Sequence, residues 1–277
     1  MEISTNSQVT YLFLNGIRSA SSIQLNEWVT LQSADMSHID FETALAICKN
    51  ARDLPVALAY IPLVSAQLVV QGDTPEETAR FAWNAAWEAL LLSALFNCEV
   101  GFNLQSDEPA SSIGASGELR ATNFYMRGLV NSEAYELTDG DRNWLERHYD
   151  CFSDLMVDER FRSAIHCMAT YRWHSLPRIQ LAVLWAGIEG IFGASSEIRF
   201  RLALYAARFL HPDDESERQL TFSDVKKLYD VRSAAVHGSK LKNNVSETVA
   251  SSAALLQRII IKCFEVQAIP DEKQLVP

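Results

Sequence analysis

Apolar positions along this chain follow two rhythms. Before about Glu136 they alternate or run together in short blocks. From Thr138 onward they recur three and four residues apart, the spacing that lines one face of a helix. Val9–Leu14 is β-branched and aromatic and is followed by Asn15-Gly16; Ile23–Leu31 alternates more loosely. Both predict strands, and they are candidates to pair with each other. Ser37–Asn50 predicts a short helix capped by Ser37, with Asp40 three residues on and Phe41, Ala44, Leu45 and Cys48 sharing one face. Val56–Val70 is almost wholly apolar and broken by Pro62, which predicts two strands. Thr74-Pro-Glu-Glu77 combines an N-cap, a proline at N1 and an acid at N3, so a helix should start there. Apolar on most sides, it should run buried to about Asn97. Glu99–Gln105 and Thr122–Val130 read as strands on either side of a Ser- and Gly-rich loop, Ser106–Glu118.

The second half predicts helices only. They start at Thr138 or Asp139, at Asp158, at Leu176-Pro177 (ending near Gly193), at Glu197 (ending at Leu210, before Pro212), at Ser223 and at Asn244-Val-Ser246. Five or six helices with short links make an antiparallel bundle. The expected organisation is an α+β subdomain over residues 1–136, whose role no residue spacing indicates, then an all-α antiparallel bundle over residues 137–277. Helix should dominate overall.

Composition narrows the function classes. With 277 residues, 48% of them hydrophobic, the chain can bury one large core or two small ones. A net charge of −11 argues against broad, non-specific nucleic-acid binding. The charge is uneven, however. Residues 1–220 hold 16 Lys+Arg and 29 Asp+Glu, a net of −13; residues 221–277 hold 8 and 6, a net of +2. Lys226, Lys227, Arg232, Lys240 and Lys242 cluster there, either as a patch for a restricted anionic substrate or as an ordinary solvated helix face. Five widely spaced cysteines without a CxxC pair suggest reduced thiols and a cytoplasmic setting. The first residues carry neither a basic start nor a long apolar run, and no uncharged apolar stretch reaches membrane length, so neither secretion nor a membrane partner is expected.

The stretch with the most chemistry is Leu228-Tyr-Asp-Val-Arg-Ser-Ala-Ala-Val-His-Gly238. Arg232 and His237 lie five residues apart, about 140° past a full turn and roughly 7.5 Å along a helix. Gly238 can take the positive φ that ends a helix, which would free the His237 ring from the helix surface. Arginine keeps its charge and grips phosphate with a planar fork. Histidine takes and returns a proton near neutrality. Together they suit attack on RNA by its own 2′-hydroxyl, without a metal or another cofactor. The same pair can be read without function, since a histidine at a helix end is favourable for the dipole alone.

This stretch resembles the Arg-x4-6-His motif of HEPN domains, in the form typical of the ApeA-like HEPN group. Phe161-Arg-Ser-Ala-Ile165, Leu184-Trp-Ala-Gly-Ile-Glu-Gly-Ile-Phe192 and Leu202-Ala-Leu-Tyr-Ala-Ala-Arg-Phe-Leu210 look like the group's preceding helices, in order and spacing. The resemblance covers roughly residues 140–268. It implies an antiparallel helical bundle that dimerises, with Arg232 and His237 of two protomers forming one composite site. Many members are metal-independent endoribonucleases, often toxins or anti-phage defence effectors, for which an antitoxin or a trigger protein is a further partner. By this carry-over His237 moves the proton and Arg232 holds the phosphate, leaving a 2′,3′-cyclic phosphate and a 5′-hydroxyl. Glu189 matches a recurring acid of the family and would orient Arg232; a plain core ion pair is the other reading. Tyr229, one turn before Arg232, reads as packing or support. Active members commonly carry Asn, His or Asp directly after the arginine, where this chain has Ser233; serine can still hydrogen-bond. The lysines named above would bind substrate. The alternative is a catalytically silent HEPN module that binds a protein or nucleotide partner. A second, looser match, Arg142-Asn-Trp-Leu-Glu-Arg-His148, lacks the following glycine and the matching surroundings. No HExxH, Walker A, GxSxG or GxGxxG motif occurs, and His166-Cys167 point different ways on a helix.

Overall fold

The computed structural model describes residues 2–125, 133–194, 196–238 and 245–275. It is mainly helical, with one small antiparallel sheet. The chain divides into two compact units: Met1–Leu92 with Cys98–Asp150, and Ser93–Asn97 with Cys151–Pro277.

The first unit is built on strands β1 (Val9–Asn15), β2 (Ile17–Ser19), β3 (Ile23–Gln24), β4 (Val29–Ser33), β5 (Val64–Gln71), β6 (Gly101–Ser106), β7 (Arg120–Ala121) and β8 (Tyr135–Leu137). Its six-stranded sheet runs β3-β4-β5-β1-β6-β7, antiparallel throughout, and β2 pairs with β8 in parallel. The expected pairing of Val9–Leu14 with Ile23–Leu31 does not form. β1 lies between β5 and β6 instead, with Leu12 opposite Leu68 and Gln105. β1 is buried on both faces, Leu12, Phe13 and Leu14 alike, so its register is set by burial on two sides.

Two short helices, α1 (Phe41–Ile47) and α2 (Asp53–Tyr60), share a core with Phe13, Met36, Leu104 and Ile113. α1 is capped by Asp40, whose Oδ1 accepts from Thr43 N at 2.8 Å; Ser37 bonds Asp35 instead. Ala44 and Ile47 face inward while Phe41 and Leu45 are exposed, so the predicted apolar face is turned by one position. The apolar run from Val56 is helical as far as Tyr60, with Pro55 tolerated in the first turn, where its missing N–H costs nothing. A 3₁₀ turn over Ile61–Leu63 then leads into β5. α3 (Pro75–Phe96) begins as expected, Thr74 Oγ1 accepting from Glu77 N at 3.2 Å. α4 (Asp139–His148) opens on a capping box between Thr138 and Asp141 and belongs to the first unit, which ends at Asp150 rather than at residue 136. Most of the strand expected over Thr122–Val130 lies outside the described residues.

The second unit holds α5 (Phe152–Leu155), α6 (Glu159–Thr170), α7 (Pro177–Phe192), α8 (Ile198–Leu210), α9 (Glu215–Val236), α10 (Val245–Val266) and α11 (Glu272–Leu275). Asp158 caps α6, and Pro177 sits in the first turn of α7. α9 starts two turns before Ser223, because Asp214 accepts from Glu217 N at 3.0 Å and caps it. α7 is the central helix. Leu181, Leu184, Trp185, Ile188 and Ile191 are wholly buried, and α6, α9 and α10 all pack on it. A Cβ on Gly187 would lie 3.0 Å from both Cys167 Cβ and Leu256 Cδ2, so any larger residue would have to push α6 or α10 back by a few tenths of an ångström. The Trp185 indole N–H donates to Ser252 Oγ at 3.1 Å, which satisfies the polar atom of the largest buried side chain. No helix among the described residues is long and apolar enough to cross a membrane.

Candidate active site in the helical unit

The end of α9 follows from local chemistry. Val236 is its last helical residue, His237 its C-cap, and Gly238 takes φ +74°. Among the described residues beyond its chain neighbours, no atom lies within 4 Å of the position a Gly238 Cβ would occupy, and the positive φ is what calls for glycine there. The His237 N–H donates to Ser233 O at 3.0 Å and closes the last turn. Ser233 therefore serves this site through its carbonyl. The His237 side chain is exposed and makes no hydrogen bond or ring contact to the described residues.

Arg232 lies on the inward side of α9. Its Nη2 is 2.8 Å from Glu189 Oε1 on α7. The pair is an ion pair rather than an aligned hydrogen bond, and Arg232 Nε is buried without an acceptor. Side-chain exposure is 19% for Arg232 and 25% for Glu189, enough shielding for the attraction to matter. Burial raises the Glu189 pKa above the ordinary carboxylate value, and the Arg232 charge opposes the rise without cancelling it. The Arg232 guanidinium also sits 5.7 Å from the Tyr229 ring centre, and Tyr229 packs edge-on against Trp185 at 5.4 Å.

Sequence reasoning missed one member of this group. Arg178 Nη1 donates to Ala235 O at 2.8 Å, so a side chain of α7 binds a carbonyl in the last turn of α9. Arg178, Trp185 and Glu189 recur at i, i+7 and i+11, one stripe of α7, and all three contact α9. That spacing was the available signal.

The structure thus brings Arg232, Glu189 and Tyr229 together, and holds His237 at the open end of the same helix, outside their contacts. Lys226 and Tyr229 line a shallow concavity of about 540 Å³ with Arg199 and Phe200. Lys226 Nζ lies 5.0 Å from the centre of the Phe222 ring. Lys227 is paired with Asp224 at 2.9 Å, and Arg199 with Asp230 through two bonds of 2.6 Å, so part of the expected positive patch is neutralised locally. Lys240 and Lys242 lie outside the described residues. Two further histidines are engaged elsewhere: His38 Nε2 is 3.2 Å from Ile113 O, and His211 Nε2 is 2.9 Å from Arg258 Nη2. Among the described residues, no three or more His, Cys, Asp or Glu side chains gather closely enough to hold a metal ion.

Compared with known proteins, the chain has no match: no family model, no curated protein and no solved structure.

Proposed function

We propose that the helical unit is a HEPN-type, metal-independent endoribonuclease that acts as a homodimer in a defence or toxin role. One observation carries this reading. An exposed imidazole stands at a helix end freed by a positive-φ glycine, and five residues back a guanidinium is held by a carboxylate from the neighbouring helix. In this reading His237 takes the 2′-hydroxyl proton or returns one to the leaving 5′-oxygen, and the Arg232 of the partner protomer stabilises the phosphorane charge. Glu189 and Tyr229 position Arg232, and Lys226 meets the RNA backbone beside them. A composite site suits the geometry, because Arg232 faces into its own bundle while His237 faces out.

The second reading is a silent HEPN module that binds a protein or nucleotide. The engagement of Arg232 by Glu189, with little of its side chain exposed, favours it. Purified protein incubated with RNA and EDTA separates the two. The nuclease reading expects fragments ending in 2′,3′-cyclic phosphate, and none from His237→Ala with an unchanged circular dichroism spectrum. Intact RNA with the wild-type protein, or equal cleavage by His237→Ala, leaves the silent module.

A further inference from the structure

Away from Arg232, the helical unit holds a larger groove of about 1050 Å³ among α8, the first half of α9, the end of α10 and the segment 268–275. Phe200, Leu204, Phe209, Phe222 and Val266 give it apolar walls. Phe200 and Val266 are 50% and 44% exposed, so part of this apolar surface meets water. Three cations line the same groove, Arg208, Arg218 and Lys262, against the acids Glu215 and Asp271, in a chain whose net charge is −11.

The three cations are not equivalent. Arg218 is paired with Glu215 at 2.5 Å and Lys262 with Glu265 at 3.2 Å. Arg208 donates from Nη1 to the Leu275 carbonyl at 3.0 Å and forms no direct ion pair among the described residues; its charge reaches Glu215, whose carboxylate is already bonded by Arg218. A guanidinium carries five N–H donors in a planar fork. One bond to a neutral carbonyl leaves most of that capacity for an anion.

Size, apolar walls and a few polar groups at the edge are the marks of a small-molecule site. A wholly apolar ligand would leave Arg208 only the distant, already bonded Glu215 carboxylate, and a small polar anion would leave the phenylalanines wet. We propose that the groove binds an amphipathic carboxylate, with its apolar tail on Phe200, Phe209 and Phe222 and its head on Arg208. The proposal stands apart from the nuclease reading and survives its failure.

Isothermal titration of the full chain with dodecanoate, dodecanol and acetate tests it. Dodecanoate should bind at least about tenfold more tightly than dodecanol, the worth of one charge-assisted hydrogen bond. Acetate should not bind. Arg208→Gln should close the gap between acid and alcohol. Ala268→Trp, which fills the groove from its exposed side, should abolish binding of both. Circular dichroism confirms that each variant is folded, and the wild-type comparison of acid with alcohol needs no variant. No binding of dodecanoate, equal affinity for dodecanoate and dodecanol, or wild-type behaviour in either variant overturns the proposal.

Discussion

The arginine–histidine stretches of α4 and α9 use their side chains in opposite ways. In α4, Arg142 is bound by Asp139 in its own first turn at 3.2 Å and by the distant Ser21 at 3.2 Å. His148 turns back onto its own helix, with Nδ1 2.8 Å from Trp144 O and its ring stacked on Trp144 at 4.8 Å. The backbone then continues in right-handed geometry through Tyr149, so the histidine never leaves the helix surface. In α9 the arginine is held across the bundle and the glycine ends the helix behind His237. Spacing alone therefore carries little information. What matters is whether local acceptors consume the pair before a substrate can.

Histidine substitutions test this contrast most sharply. RNA cleavage should fall by about 10²-fold or more in His237→Ala, the usual worth of a general acid or base, and stay at wild-type level in His148→Ala. Parallel losses in the two variants would break the distinction between the helices.

The carboxylates beside the two stretches give the next largest effect. Glu189 is met by a guanidinium, whereas Glu88 is met only by neutral donors, the Tyr149 hydroxyl and the Asn26 amide at 2.8 Å. Burial pushes the Glu88 pKa up to about 7, with those hydrogen bonds opposing the rise. The folded state thus holds its proton more tightly than the unfolded chain, whose value is near 4.5. Stability from this group is full below about pH 4.5 and is lost as the pH rises through 7, by roughly 3 kcal/mol in all. Urea unfolding at pH 5 and pH 8 should show the loss in the wild type, and Glu88→Gln should flatten it.

Smaller effects follow for the arginines and the helix end. Arg232→Ala leaves a half-buried carboxylate unpaired and should cost about 1–2 kcal/mol, less than a fully buried pair because both groups keep some solvent. Arg142→Ala should cost under about 0.5 kcal/mol. The two melting curves should differ accordingly; equal shifts would show that Glu189 does not depend on Arg232. Gly238→Ala should cost about 1 kcal/mol from backbone strain at φ +74°.

The parts of the fold that were legible are those written in neighbouring residues. Thr74-Pro-Glu-Glu77, Asp158, Leu176-Pro177 and Gly238 each state a helix end through their own hydrogen-bonding or φ, and each appears where expected. Asp214, three residues before Glu217, caps α9, whereas Ser223, the expected start, lies deep inside it; both residue types can cap, and spacing alone does not choose between them. The run Val56–Tyr60 was misread because an apolar block without polar punctuation looks alike as strand or helix. The order of the sheet was illegible for another reason: β1 takes its partners from residues 64–71 and 101–106, and no local pattern encodes that choice. At the candidate site, Arg232, His237 and Gly238 share one stretch and could be read together. Arg178 acts from 57 residues away and needed the structure.

The central place of β1 also bears on how the chain is made. This strand leaves the ribosome before either of its neighbours exists, and the second of them is complete only at Ser106. Until then its apolar sides are open to wrong partners, and a holding chaperone would act during that interval. In the helical unit α6 packs on α7 and α8 on α9, near neighbours in sequence, while the central α7 still waits for α10 to cover it.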